Sequence, residues 1–376
     1  MTRRSAYPAA STGNWGPTGM ATDRKTDRRS AFVILAMLAW LVGVAPHLVE
    51  WALSGTPPDA LVWNMTHYHV TYPDFGFLRR GLVGTLMVPV FAPLPDGGGA
   101  EYAVMLAIDA GLSLTLAILA ARLFLPADDA APGQRFFAGA ILIAPVGMMQ
   151  LGHDAARLDH VNFVLLALAA AAVLRGRAWL AALLMVAALL VHEAVLFYGV
   201  PVVAALALRR SGTAAATIAL PALLTAAALV LWGGTQADLA TALPAEVALA
   251  ASVWTRDMLE PARGFPPLHY AIAAYMALLP LLLLHRHYRL NGAAPDLLLL
   301  APVTTLALFA LGVDYGRWTQ CVFFAVLMVI AAAPTLGRSR GADLRPLPVR
   351  LAILPWLLPL GPIGIAVLYP FLPWIV

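Results

Sequence analysis

The chain has 376 residues, 61% hydrophobic and 12% charged, with a formal net charge of +4. Soluble domains average about 25% charged residues. That deficit runs the whole length, with a mean hydropathy of +0.79, and it excludes an ordinary soluble domain in favour of a polytopic membrane protein. The basic excess does not point to nucleic acid: Lys25 is the only lysine, and the arginines fall in short scattered pairs that suit loop ends.

Residues 1–29 are polar and rich in Ser, Thr, Gly and Pro, which predicts a disordered tail ahead of one polytopic domain over 30–376. The apolar run 31–53 is too long for a signal-peptide core and reads as a retained helix. Further apolar runs lie at 81–93, 101–125, 136–151, 160–174, 178–208, 213–233, 268–285, 296–312, 317–334 and 350–373. A spanning helix needs about 20 residues. The expected fold is therefore all-α, with about ten transmembrane helices and one or more re-entrant or broken ones. The 81–93 run is short, holds Pro89 and ends at Pro93 and Pro95, so a half helix is expected there. The 178–208 run is too long for one crossing, and His192-Glu193 in its middle predicts two halves meeting at that pair. Ala-rich stretches at 164–173 and 213–228 suit close helix packing. No internal repeat is evident. Cys321 is the only cysteine and cannot form an intrachain disulfide.

Arginine placement sets an expected orientation. The tail, Arg122 to Arg135, Arg175/Arg177, Arg209/Arg210, Arg286/Arg289 and Arg338 to Arg350 are assigned to the cytoplasmic side of a bacterial inner membrane, which leaves the C-terminus outside. Threading the runs through those loops puts 54–80, His153 to His160, His192-Glu193, 234–267 and Asp314 to Arg317 on the other side. These hold nearly all the mixed-charge segments. The reading is that they line one polar, outward-facing cavity.

Four constellations carry candidate chemistry. In His67 to Gly84, Arg79 and Arg80 present guanidinium forks suited to phosphate, Asp74 is a candidate base, and Gly81 and Gly84 permit close backbone approach. The bland alternative is an interfacial helix with snorkelling arginines. In Gly152 to Asn162, His153, Asp154, Arg157, Asp159 and His160 crowd together. Asp154 and Arg157 stand at i, i+3, and Asp159 is placed to cap the next helix. His192-Glu193 interrupts an apolar run, so Glu193 needs an arginine or histidine partner, with Arg157 and Arg317 the obvious ones, or it titrates high enough to serve as an acid or base. Asp314 and Arg317 again stand at i, i+3. The loop 234–267, with Trp254, Arg256, Asp257, Glu260 and Arg263, reads as a solvated helix over the cavity. No standard metal motif or phosphate-cradling loop is present, so no cofactor is expected. A divalent metal is chemically compatible but has no ligand pattern behind it.

The order of FLRRGLVG (Phe77 to Gly84), the mid-helix pair His192-Glu193 and DYGRW (Asp314 to Trp318) resembles bacterial membrane proteins of exopolysaccharide and O-antigen assembly, the EpsG- and Wzy-type polymerases, and more loosely the GT-C glycosyltransferases. The likeness spans about 70–320. It implies a polyprenyl-(di)phosphate-linked sugar as donor, with membrane lipids and other polysaccharide-assembly proteins as partners and no nucleic acid. It also implies an acidic base in the first outer loop, matched here by Asp74, with Glu50 and Asp59 competing. The chain lacks both the large soluble C-terminal domain and the very long outer loop that many such proteins carry. On this reading Asp74, Glu193 and His192 are the catalytic candidates. The substrate-binding candidates are Arg79, Arg80, His153, Asp154, Arg157, Asp159, Asp314 and Arg317. A transporter or flippase of a polar or lipid-linked solute, and a non-catalytic scaffold subunit, are the alternatives.

Overall fold

A computed structural model describes residues 19–94, 99–124, 147–233, 267–290, 294–312 and 314–332. Among these the structure is all-helical and has no strand. The helices are α1 (Gly19–Ser54), α2 (Asp59–Met65), α3 (Tyr72–Phe75), α4 (Gly81–Phe91), α5 (Gly99–Phe124), α6 (Met148–His153), α7 (Leu158–Leu174), α8 (Ala178–Val191), α9 (Val195–Tyr198), α10 (Val200–Leu208), α11 (Gly212–Leu231) and α12 (Pro267–Leu290). They continue with α13 (Leu297–Leu300), a 3-10 segment (Ala301–Ala307), α14 (Leu308–Leu311) and α15 (Tyr315–Ala332).

Among the described residues, four stretches are long and apolar enough to cross a membrane: Arg29–Ser54, Gly99–Arg122, Gly212–Leu231 and Tyr315–Ala332. The other described apolar helices are shorter, and most of the 136–151 run and all of the 350–373 run lie outside the described residues, so four full-length spans are what the structure shows of the expected ten. The 178–208 run does break: α8 ends at Val191, and His192 leaves the helix in extended conformation. The short α4 fits the expected half helix. The polar tail differs from expectation, since α1 begins at Gly19 and takes in 19–29. Once the apolar part has nucleated a helix, adding residues one by one costs little.

Close backbone approach is concentrated in two places. A Cβ on Gly43 would lie 2.0 Å from the Met149 carbonyl oxygen, and one on Gly152 would lie 2.0 Å from that of Trp40, so α1 and α6 cross backbone to backbone. Gly84 lies equally close to the Val70 carbonyl and seats α4 on the segment before it. The Ala-rich stretches pack as well: Ala167 and Ala169 to Ala172 on α7, and Ala222 and Ala226 on α11, are buried.

Ring contacts and hydrogen bonds fix the sense of the bundle. Trp51 meets Tyr102, and Trp40 bonds Asp109, so α1 and α5 run antiparallel. Arg210 donates to the Leu174 carbonyl at 2.5 Å, and Arg209 reaches both Tyr288 and Asp296. The α7/α8 turn, the α10/α11 turn, the end of α12 and the start of α13 therefore share one end, with Arg175, Arg177, Arg209 and Arg210. At the other end lie the starts of α5, α7 and α15, all of α6, and the α8/α9 break. The 17 residues of α7 separate the two ends by roughly 25 Å at about 1.5 Å per residue. Among the described residues the basic and mixed-charge segments thus sort to opposite ends of the bundle. The tail before Gly19, 125–135, the 234–267 stretch apart from Pro267, and 338–350 lie outside the described residues.

Candidate functional site

The site is assembled at the mixed-charge end from helix termini and the break between α8 and α9. Arg80 caps α4 in a left-handed conformation, φ 66°. Its guanidinium forks onto Glu193, Nε donating to Oε2 at 3.2 Å and Nη2 to Oε1 at 2.7 Å. Its Nη1 donates to His67 Nε2 at 3.2 Å. A guanidinium has no acceptor, so that ring nitrogen carries a lone pair and His67 is neutral here. Burial first, and the Arg80 charge second, hold the His67 pKa well below its ordinary value. Glu193 thus has a partner 113 residues away rather than Arg157 or Arg317. A forked arginine favours the carboxylate form, which makes Glu193 a charge partner more than a proton acceptor. Arg79 is partly buried and stays out of this pair.

Arg317, at the start of α15, ties three elements together. Nε donates to Asp159 Oδ2 at 2.7 Å, Nη1 to Asp314 Oδ2, and Nη2 to His192 Nε2 at 3.0 Å. Its guanidinium also lies 5.0 Å from the Trp318 ring. Asp159 is therefore spent on Arg317 instead of capping α7, whose N-cap is Arg157 with no side-chain cap bond. The His192 lone pair at Nε2 is committed to Arg317. Its Nδ1 lies 3.1 Å from the Ala194 amide and 3.8 Å from Glu193, so this histidine buttresses the helix break.

Arg157 differs from both. It is only 6% exposed, yet its ion pairs to Asp154 and Asp314 are long, 3.7 Å each. Its Nε and Nη2 find no hydrogen-bond partner among the described residues. Neither do Oδ1 of Asp159 and Oδ1 of Asp314. The residue before it, Ala156, has φ 65°. Ala156 and Arg80 are the two non-glycine residues with positive φ among those described, and both are at this site. Such conformations cost about 1–3 kcal/mol and persist where surrounding structure imposes them.

The other sequence candidates fall around this core. Asp154 accepts from Gln150 at 2.7 Å. The His153 carbonyl accepts from His47 at 2.8 Å, and the two rings stack at 5.3 Å. Asp74 sits apart: it is exposed, and its carboxylate accepts from Thr71 at 2.5 Å beside α3. Glu50 and Asp59 are exposed too. Among the described residues, no hydrogen bond or ion pair joins any of these three carboxylates to the buried network. Among the described residues, no three His, Cys, Asp or Glu side chains are grouped to hold a metal ion.

Asp109 is the residue the sequence reading missed. It is fully buried near the middle of α5, accepting from Trp40 Nε1 at 3.1 Å and from His160 Nδ1. A lone acid inside a run of spanning length is itself a signal, since a charge at membrane depth costs roughly 3 kcal/mol unless paired. Comparison with known proteins finds no matching family model, no matching curated protein and no matching solved structure.

Proposed function

We propose that the protein is a membrane glycosyltransferase or polysaccharide polymerase that takes a polyprenyl-(di)phosphate-linked sugar at this site. The observation that carries the reading is the unmatched polar inventory around Arg157. Buried N–H donors without partners cost about 1–3 kcal/mol each, and here they sit beside carboxylate oxygens that also lack partners. Net charge does not draw an anion in, because Arg80, Arg157 and Arg317 face four carboxylates. What fits is a ligand with both kinds of group, phosphate oxygens for Arg157 and hydroxyls for Asp159 and Asp314. In the transfer, an acceptor hydroxyl oxygen attacks the anomeric carbon of the donor sugar. The bond from that carbon to the diphosphate oxygen breaks, and the lipid diphosphate leaves with the electron pair. Arg157 would stabilise that leaving charge, the kind of contribution often worth about 3–4 kcal/mol. The positive-inside tendency puts the arginine-rich end in the cytoplasm and the site on the outer face of a bacterial inner membrane.

The test uses the full chain. Arg157→Ala and Arg157→Lys should both abolish glycan extension when they replace the wild-type copy, with membrane levels unchanged. Lysine keeps the charge but not the fork. Arg157→Ala should also weaken binding of farnesyl diphosphate, used as a lipid-diphosphate probe, by at least tenfold. Normal extension in both variants would remove the proposal. One observation favours a second reading, transport of a lipid-linked solute: interrupted helices, as at His192 and again at Ala301–Ala307, are a device of transporters. Cysteines at 157 and 193 labelled from both membrane faces would favour transport, and labelling from one face the transferase.

A further inference from the structure

One turn along α7 from Arg157, the geometry points to His160 as the group that takes the proton from the acceptor hydroxyl, held in its working tautomer by Asp109; this rests on the transferase reading above. Asp109 accepts two hydrogen bonds, one at each oxygen, from Trp40 Nε1–H and from His160 Nδ1. Trp40 can only donate, so Oδ2 is an acceptor. With the carboxylate ionised, the proton of the second contact belongs to His160 Nδ1. That leaves the lone pair of the imidazole on Nε2. Nε2 is buried and has no hydrogen-bond partner among the described residues, in a side chain 2% exposed. A basic nitrogen backed by a buried carboxylate is the arrangement general bases use: the carboxylate sets the tautomer and stabilises the imidazolium that forms.

The other candidates lack that combination. Glu193 is forked by Arg80, His192 has its Nε2 lone pair on Arg317, and Asp74 is outside the network. Position also favours His160. Its amide donates to the Arg157 carbonyl at 3.1 Å, so the base and the diphosphate-binding arginine stand on the same first turn of α7. Tyr68, near enough to feel the Asp109 charge, has a buried hydroxyl that also lacks a partner among the described residues. Burial, with the Asp109 charge second, keeps that phenol protonated, so it is a donor for a sugar oxygen. The step balances simply. His160 Nε2 takes the hydroxyl proton, the hydroxyl oxygen forms the new bond to the anomeric carbon, and the diphosphate departs with the old bonding pair. The imidazolium then releases its proton to water.

The experiment has three readouts on the full-length protein: histidine tautomer by selective 15N labelling in detergent, farnesyl diphosphate binding, and glycan extension in cells lacking the wild-type copy. Wild-type His160 should carry its neutral-form proton on Nδ1, and Asp109→Asn should move it to Nε2. A wild-type proton on Nε2 overturns the inference whatever the enzyme's substrate. His160→Asn keeps an amide at the Nδ1 position for Asp109 but has nothing at Nε2. It should bind the probe within about threefold of wild type and lose extension at least a hundredfold, the usual scale for a missing base. Asp109→Glu should recover part of the extension that Asp109→Asn loses. If His160→Asn folds poorly, His160→Gln restores bulk at Nε2 without basicity and should fail in the same way. Wild-type extension in either His160 variant ends this inference alone. Unchanged probe binding and extension in Arg157→Ala would end the transferase reading without touching the tautomer result.

Discussion

Two ionic groups about one helix length apart use the same chemistry to different ends. At the arginine-rich end, Arg209 holds Asp296 with its Nε at 3.0 Å and its Nη2 at 2.5 Å, and also reaches the Tyr288 hydroxyl. Those side chains keep 25% and 37% of their surface in water. At the other end, Arg317, Asp159 and Asp314 keep 10%, 2% and 9%. The exposed group leaves no buried side-chain atom of Arg209, Asp296 or Tyr288 without a partner. The buried one is incomplete, and water does not easily make up the difference. Burial leaves donors and acceptors unmatched at the mixed-charge end, and it is there, rather than at the end with more arginines, that a ligand would complete the network.

The strongest way to break this contrast is to delete one arginine from each group. Arg317→Ala strands Asp159 and Asp314 as buried charges and should cost about 3–5 kcal/mol. Arg209→Ala exposes its partner to solvent and should cost about 0–1 kcal/mol. Thermal unfolding of the purified variants in one detergent compares the two directly. Equal losses would mean the buried network is wetter than its exposures indicate.

How much of this was legible depends on sequence distance. The sorting of basic and mixed-charge segments follows from arginine placement, and the break at His192 from two polar residues inside an apolar run. The pairs Asp154–Arg157 and Asp314–Arg317 are spaced for contact within a single turn. Arg80 and Glu193, or His160 and Asp109, are not. No spacing rule connects residues 113 or 51 positions apart, so Arg80 reads as a phosphate binder, and Glu193 as a base or a partner of Arg157 or Arg317, until the fold joins the two. Asp109 escapes a hydropathy reading because one acid barely lowers the mean of a long apolar run. The tight crossing at Gly43 and Gly152 was hidden for a similar reason, as the Ala-rich runs look like better packing surfaces than two isolated glycines.

That crossing gives the next test, because it seats α6 with His153 beside the buried group and has no role at the exposed end. Gly152→Val should cost about 1–3 kcal/mol through forced separation of α1 and α6. Adding valine at Gly212, where a Cβ meets nothing within 4 Å, should cost at most about 1 kcal/mol. Unfolding midpoints of the two variants check the difference. A smaller effect comes from pH. Burial and Arg80 lower the His67 pKa in the folded protein, and burial lowers that of His69. The unfolded chain therefore binds more protons below about 6.5. Stability contributed by these groups is present above that pH and is lost as pH falls from about 6.5 towards the folded values. His67→Gln should flatten the unfolding midpoint over that window, whereas Arg209→Ala should leave its slope unchanged.

The smallest effect bears most closely on what the buried group is for. At the arginine-rich end the left-handed turn position is a glycine, Gly176, φ 76°. At the site the equivalent conformation is forced on Ala156 and Arg80. Glycine adopts it freely, so Ala156→Gly should relieve strain and raise stability by about 0.5–1 kcal/mol, less the entropy that glycine adds to the unfolded chain. If the strain serves only packing, the variant gains stability and keeps its activity. If the strain aims Arg157, the variant gains stability while extension falls, because the freed backbone no longer holds the guanidinium against the carboxylates that position it. An unfolding midpoint and a glycan-length gel on the same variant separate the two outcomes, and the reading of Arg157 as a ligand-binding group requires the second.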